Sequence, residues 1–254
     1  MSQELAAAFS RIAEQAGREI MRYYQTGAPA SLKSDMTPVT EADVAAEAII
    51  LPALAELLPN LPCVAEEAVS VGRIPKVDPK GSFLLVDPLD GTREFLVHNG
   101  EFTVNIALIE AGRPILGVVH LPALGTTYIG GPAGATLAEA GGTPQPIRAR
   151  PKPADGVIVL ASRAHNEGDA MDRFLEGEHV AERIAAGSSL KFCRVAEGIA
   201  DLYPRFGRTM EWDTAAGHAV LAAAGGSVRV LSGEPLTYGK PGFVNPDFIA
   251  RGRW

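Results

Sequence analysis

Cysteine is scarce. The chain has two in 254 residues, Cys63 and Cys193, far apart and without metal-ligand spacing, which excludes a disulfide framework and a thiolate zinc site. Both are expected to be buried thiols. Basic runs are missing too: no Lys/Arg cluster exceeds a dipeptide and the formal charge is −7. That argues against a nucleic-acid polymer, because a polyanion is bound by a basic face that displaces its counterions. An anionic small molecule needs only local cations, from side chains or metals, that reverse the global field. No apolar stretch approaches the ~20 residues of a membrane span. The start, Met1-Ser2-Gln3-Glu4-Leu5, lacks the basic and apolar segments of a signal peptide. The expectation is a cytoplasmic protein with no transmembrane segment. Internal repeats and low-complexity tracts are also absent.

What is present is a hydrophobic content of 46%, enough to bury a substantial core in one large α/β unit or two small packed domains. Leu5, Phe9, Ile12, Ala16, Ile20 and Tyr23 recur at helical spacing and predict an amphipathic helix ended by Gly27 and Pro29. Thr40-Glu41-Ala42-Asp43 has capping-box form and predicts a second helix to about Leu58, kinked or divided by Pro52. Residues 61–65 and 82–86 read as buried strands that deliver acids at their C-terminal ends, with a polar loop over 68–81 between them. Residues 102–109 and 115–120 read as a hairpin, and 128–148 as further short strands and turns. Pro151-Lys152-Pro153 looks like a connector. Beyond it strands over 157–161, 183–186, 201–205 and 227–231 alternate with helices over 170–175, 189–198 and 214–224. The expected division is an α+β domain over 1–150 and an α/β domain over 151–254.

Acidic residues gather at element ends: Glu66-Glu67, then Asp87 and Asp90, then Asp213 just before a late helix. Taken singly, Asp213 reads equally as an N-cap, Asp43 as the acid of a capping box, and Asp87 as a turn former. The segment Asp87-Pro88-Leu89-Asp90-Gly91-Thr92 is more specific. Pro88 stiffens a tight turn, Gly91 permits close backbone approach, and two carboxylates three positions apart can face one point. Oxygen donors without His or Cys suit magnesium better than zinc.

These residues carry a resemblance. Glu66-Glu67, Asp87-Pro88-Leu89-Asp90-Gly91-Thr92 and Trp212-Asp213-Thr214-Ala215-Ala216-Gly217 resemble the signatures of the inositol-monophosphatase superfamily of metal-dependent, lithium-sensitive phosphatases. The segments 99–108, Gly187-Ser188-Ser189-Leu190-Lys191-Phe192-Cys193 and 202–207 are similar to its CysQ-type branch, the bacterial 3'(2'),5'-bisphosphate nucleotidases. The similarity runs from the first helix to Asn245-Pro246. Ala65 departs from the Gly usual before the Glu pair.

The resemblance implies a layered α/β/α/β/α sandwich with an α+β first half. It implies that Glu66, Asp87, Asp90 and Asp213 bind Mg²⁺ through side chains and Leu89 through its carbonyl. It further implies a dyad in which the Thr92 hydroxyl hydrogen-bonds a metal-bound water and Asp43 takes up the proton, a role in keeping with the lowered pKa of such a water. With no Ser-His-Asp or Cys nucleophile motif, the nucleophile is expected to be water. The amides of Gly91 and Thr92, if they open a helix, would point at a phosphate. Lys191 falls in the first turn of a predicted helix, where the macrodipole disfavours a cation unless an anion is nearby. In the nucleotidase pattern Ser188, Lys191 and Arg205 hold the phosphate that is not cleaved, and His165 lies near the adenine. Lys191 read without the pattern snorkels over Phe192 into water, and His165 is a surface residue. His98 and His120 read as loop and strand-end residues, Trp212 as packing beside the acidic turn, and His218 stays unassigned.

The expected activity is hydrolysis of adenosine 3',5'-bisphosphate to AMP and phosphate, which would clear a by-product of sulfate assimilation. The alternatives are an inositol-1-phosphate or other sugar-phosphate phosphatase, and a non-catalytic nucleotide-binding regulator. Some relatives attach peripherally to the inner face of the plasma membrane, but no basic amphipathic helix here predicts it. The sequence carries no signal for oligomeric state.

Overall fold

A computed structural model describes residues 2–27, 30–32, 38–140, 142–163 and 168–254. The elements of the first part are α1 (Ser2–Thr26), β1 (Ala30–Leu32), β2 (Pro38–Thr40), α2 (Glu41–Leu57), β3 (Cys63–Ala65), α3 (Glu66–Ser70), β4 (Ser82–Asp90) and α4 (Thr92–Leu96). Then come β5 (Thr103–Glu110), β6 (Arg113–Leu121), β7 (Thr126–Gly131), β8 (Gly134–Glu139) and β9 (Gln145–Ile147). The remainder holds β10 (Val157–Ser162), α5 (Gly168–Phe174), β11 (Val180–Ala186), α6 (Leu190–Ala196), β12 (Leu202–Arg205), β13 (Thr209–Met210), α7 (Glu211–Ala223), β14 (Ser227–Val230), β15 (Val244–Asn245) and β16 (Phe248–Arg251).

β3 to β9 form a seven-stranded sheet in chain order, parallel only at β3–β4 and antiparallel from β4 on. The five-stranded sheet runs β11-β10-β12-β16-β14, parallel on one side and antiparallel around β16. Alternation along β4 explains the layering. Leu84 and Val86 face α1 and α2 in one core cluster, while Phe83 and Leu85 face α6 and α7 in another. That second cluster also takes in Leu160, Tyr203 and Phe248 from the five-stranded sheet, whose other face packs Val157, Val159 and Leu202 against Met171 and Leu175 at α5. The order is therefore helices, sheet, helices, sheet, helix: the expected α/β sandwich with an α+β first half.

Local differences from the sequence reading have physical causes. α2 continues through Pro52 as one helix. Glu66 and Glu67 do not end a strand in open loop but open the short α3, so the predicted loop starts only after Ser70. α7 begins three residues before the predicted 214, which places Asp213 inside its first turn rather than ahead of it. β13, β15 and β16 escaped prediction, being two to four residues long and without a period to read.

Candidate active site

β3 and β4 run parallel with Ala65 opposite Val86, so Glu66, just past the end of β3, and Asp87, the next residue of β4, come out at one edge. The expected tight turn at 87–90 is instead an irregularity within the strand. Asp87 pairs with Asn105 and Asp90 with Thr103, so three steps on β4 oppose two on β5, as in a β-bulge. Pro88 suits that place because its missing N–H leaves no ladder bond unmade. The Leu89 amide donates to Asp87 Oδ1 at 3.0 Å, which fixes that carboxylate. The reversal comes one residue later, at Gly91, whose φ of 90° lies where side chains are disfavoured.

Asp43 fulfils both of its sequence readings, one with each oxygen. Oδ2 accepts the Thr40 amide at 2.8 Å and the Thr40 hydroxyl at 2.7 Å, closing the capping box of α2. Oδ1 lies 3.3 Å from Thr92 Oγ1, which also stands 3.4 Å from the Leu89 carbonyl oxygen. The cap thus clamps one oxygen and aims the other at Thr92.

Asp213 arrives from the second half of the chain. Its Oδ2 caps α7 by accepting the Met210 amide at 2.8 Å. α7 reaches the seven-stranded sheet because Gly117 and Gly130, directly paired across β6 and β7, leave a depression under it. A Cβ at Gly130 would lie 2.3 Å from Val220 Cα, and one at Gly117 2.5 Å from the Ala216 carbonyl oxygen. Carboxylate oxygens of Glu66, Asp87 and Asp213 consequently lie within 4.8 Å of one another. Asp90 stands beside them, with Oδ2 accepting the Ser189 amide at 2.6 Å.

So many acids in an enclosed site repel one another. Burial, partly offset by Lys191, pushes the Asp90 carboxyl up to about 6, and burial followed by the charges of Asp90 and Glu66 raises Asp213 well above the ordinary range. An all-oxygen donor set with this self-repulsion fits a hard divalent cation, which would supply the missing positive charge.

A cavity of about 500 Å³ opens over the acids and is also lined by Ser188, Lys191 and Arg205. Lys191 is buried in the first turn of α6, but its ammonium is not in water. It donates to the carbonyls of Ser188 at 2.7 Å and Ala186 at 3.3 Å, and it lies 5.2 Å from the centre of the Tyr203 ring. Arg205, also buried, ends β12 and donates to the Arg208 carbonyl at 3.3 Å. His165 lies outside the described residues. Trp212 packs beside Asp213 with its ring tilted against Phe243, 6.3 Å between centroids, and it also lines the cavity. His218 turns into the core, where Nδ1 meets the Tyr238 hydroxyl at 3.0 Å, and His120 pairs with Thr127 Oγ1 at 2.9 Å. Both thiols are free, Cys193 buried and Cys63 partly so.

Several supporting residues carried no local signal. Glu47, buried on α2, accepts the Glu67 amide at 2.8 Å and so holds the start of α3 where Glu66 sits. Glu211, wholly buried, anchors Gly239 and Lys240 under α7. Arg208 lines the cavity beside Arg205. The spacing of Asp43 and Glu47 on one helix face was the only trace of the first; nothing marked the others.

A layered sandwich with an acidic cluster at a bulged strand end, closed by a helix-borne Asp, defines a metal-dependent phosphatase site. The chain belongs to the inositol monophosphatase family, which it matches over residues 1–251. Among its relatives, the 3'(2'),5'-bisphosphate nucleotidase CysQ of Escherichia coli (strain K12) is 44% identical over 252 residues, covering 94% of this chain and 96% of that protein. The crystal structure of CysQ from Bacteroides thetaiotaomicron superposes with a TM-score of 0.81 at 34% identity, covering 99% and 98% of the two chains. A Thermotoga maritima IMPase gives a TM-score of 0.80 at 25% identity, covering 100% and 93%.

Proposed function

We propose that this protein is a magnesium-dependent 3'(2'),5'-bisphosphate nucleotidase that converts adenosine 3',5'-bisphosphate to AMP and phosphate. The observation that carries this reading is one cavity lined both by a carboxylate cluster and by the buried cations Lys191 and Arg205. A substrate with two phosphates matches a carboxylate cluster that would take one phosphate through a bound cation and a pair of basic side chains that would take the other. The likeness to CysQ nucleotidases over nearly the whole chain supports it.

Glu66, Asp87, Asp90, Asp213 and the Leu89 carbonyl are the groups that would hold magnesium. Bound there, the ion acidifies a water and offsets charge on the phosphoryl oxygens. Thr92 accepts a proton of the attacking water while passing its own toward Asp43 Oδ1, 3.3 Å away. The water oxygen bonds to phosphorus as the P–O3' bond breaks, the 3' oxygen takes a proton from a solvent water to leave as AMP, and Asp43 returns its proton to solvent. Gly91 and Thr92 line the same cavity, and their amides would be donors for the departing phosphate. Ser188, Lys191 and Arg205 hold the 5'-phosphate. Lys191, bonded to the Ser188 and Ala186 carbonyls, contributes its charge, and Arg205 adds a planar two-pronged donor.

The seven-stranded sheet lies wholly before residue 150 and the five-stranded sheet wholly after it, in support of domains at 1–150 and 151–254. No helix among the described residues is long and apolar enough to cross a membrane. We place the enzyme in the cytoplasm, where it would serve sulfate assimilation and be sensitive to lithium.

The test is a substrate panel with purified protein and Mg²⁺. A higher kcat/KM for adenosine 3',5'-bisphosphate than for inositol-1-phosphate is expected, and the reverse order would replace this reading by the sugar-phosphate one. Nucleotide binding with no hydrolysis of any phosphomonoester would make the protein a regulator.

A further inference from the structure

Ser189 is buried and does not face the cavity, yet it joins the two walls. Its amide donates to Asp90 Oδ2 at 2.6 Å, and its hydroxyl donates to Asn105 Oδ1 at 2.7 Å. With that proton committed, Thr103 Oγ1, 2.9 Å away, is the donor to Ser189 Oγ. Asn105 closes the ring, since its Nδ2 donates to the same Asp90 Oδ2 at 3.4 Å. Thr103 and Asn105 stand on β5 of the seven-stranded sheet, whereas Ser189 belongs to the loop that follows β11 of the other. The ring commits Oδ2 of Asp90 and leaves Oδ1 for the acidic cluster.

The same loop is held against its backbone preference. Ser188 has a φ of 45°, in the left-handed region that residues with a side chain seldom occupy. Three fastenings impose it: the Ser189 ring, Lys191 Nζ on the Ser188 carbonyl, and Glu101, whose carboxylate accepts the Gly187 amide at 2.8 Å and an Arg163 N–H at 2.7 Å. Of these, the Ser189 fastening hydrogen-bonds directly to a residue of the acidic cluster.

We propose that Ser189 is a positioning residue that couples Asp90 to the 187–191 loop, so that a cation held at the acids fixes the phosphate-holding geometry of Ser188 and Lys191. The part concerning substrate rests on the nucleotidase reading; the coupling itself does not.

The experiment compares wild type with Ser189→Ala by amide hydrogen exchange with and without Mg²⁺, and by kinetics on adenosine 3',5'-bisphosphate and adenosine 3'-monophosphate. In wild type Mg²⁺ should slow exchange across 187–191; Ser189→Ala keeps the amide on Asp90 but removes the hydroxyl bonds to Asn105 and Thr103 that hold that amide in place, and should lose about ten-fold of that protection. The variant should also raise KM for the bisphosphate about ten-fold while kcat on the monophosphate stays within about three-fold. Thr103→Val removes one bond of the ring without a cavity and should shift both readouts the same way by less, which keeps the test decisive if Ser189→Ala does not fold. Magnesium-dependent protection that is unchanged in the folded variants overturns the coupling. A wild type that prefers neither nucleotide sinks the nucleotidase reading instead, and the exchange result still decides the role of Ser189.

Discussion

On one wall of the cavity, Glu66, Asp87 and Asp90 come from a short stretch of chain at the ends of two neighbouring strands, and only Asp213 is imported. On the other wall, Ser188, Lys191 and Arg205 come from a loop, a helix start and a strand end, each fixed by backbone carbonyls or by residues outside the cavity. The acidic wall is assembled against its own repulsion, with two carboxyls pushed upward in pKa, and a cation would complete it. The basic wall already has hydrogen-bond partners in protein carbonyls, and an anion would complete its charge. The reaction is therefore expected to depend steeply on the first wall, and the choice of substrate on the second.

The largest effect that would break this contrast concerns the imported acid. Asp213→Asn should lower kcat with Mg²⁺ by about 10³-fold on every phosphomonoester, because it removes charge from the cation site. A loss confined to the bisphosphate would mean that Asp213 belongs to substrate recognition. Next, Thr92→Val should cost about 10²-fold in kcat with little change in KM, as expected for a lost proton-transfer partner; a raised KM alone would reassign Thr92 to binding. On the basic wall, Arg205→Ala or Lys191→Ala should weaken kcat/KM for adenosine 3',5'-bisphosphate by about 10- to 100-fold and that for a monophosphate far less. Equal losses on both substrates would remove the second-phosphate pocket.

Smaller effects fall on stability. Asp90 and Asp213 have folded pKa values above their unfolded ones, so what they contribute is present at low pH and is lost as pH rises through about 6 for Asp90. Magnesium should reverse that loss, stabilising the protein by about 2.7 kcal/mol at 100 times its Kd, and its effect on thermal melts should be larger at pH 8 than at pH 5. Equal shifts at both pH values would show that the acids do not repel one another. Last, Gly130→Ala should destabilise by about 1–3 kcal/mol in denaturant titration, since its Cβ would press on the backbone of α7, and should carry Asp213 away from Asp87. Normal activity in a destabilised Gly130→Ala would show that the position of α7 is not what sets the cluster.

That acids would gather here was legible in advance because Glu66, Asp87 and Asp90 sit at the ends of predicted strands and their oxygen-donor chemistry follows from residue type. Even there, residue type did not settle geometry. The 87–90 segment proved to be a bulge fixed by its pairing with β5. Asp43 proved to be both cap and partner of Thr92, since a carboxylate has two oxygens and the fold uses each differently. The basic wall was legible only through family likeness, and Lys191 shows why. Its place in a helix start was readable, but its bonds to the Ser188 and Ala186 carbonyls depend on how the 187–191 loop folds back.

Sequence alone determined the amphipathic first helix, the capped second helix, the hairpin strands, and the residue types that can bind a hard cation through Asp87-Pro88-Leu89-Asp90-Gly91-Thr92. Those follow from local periodicity, capping chemistry and donor type. Tertiary structure decided that α7 sinks onto Gly117 and Gly130 to bring Asp213 within reach of Asp87, and that Ser189 links Asp90 to the opposite wall. Contacts of that kind join residues far apart in the chain, and they exist only when two sheets pack face to face around the same helices.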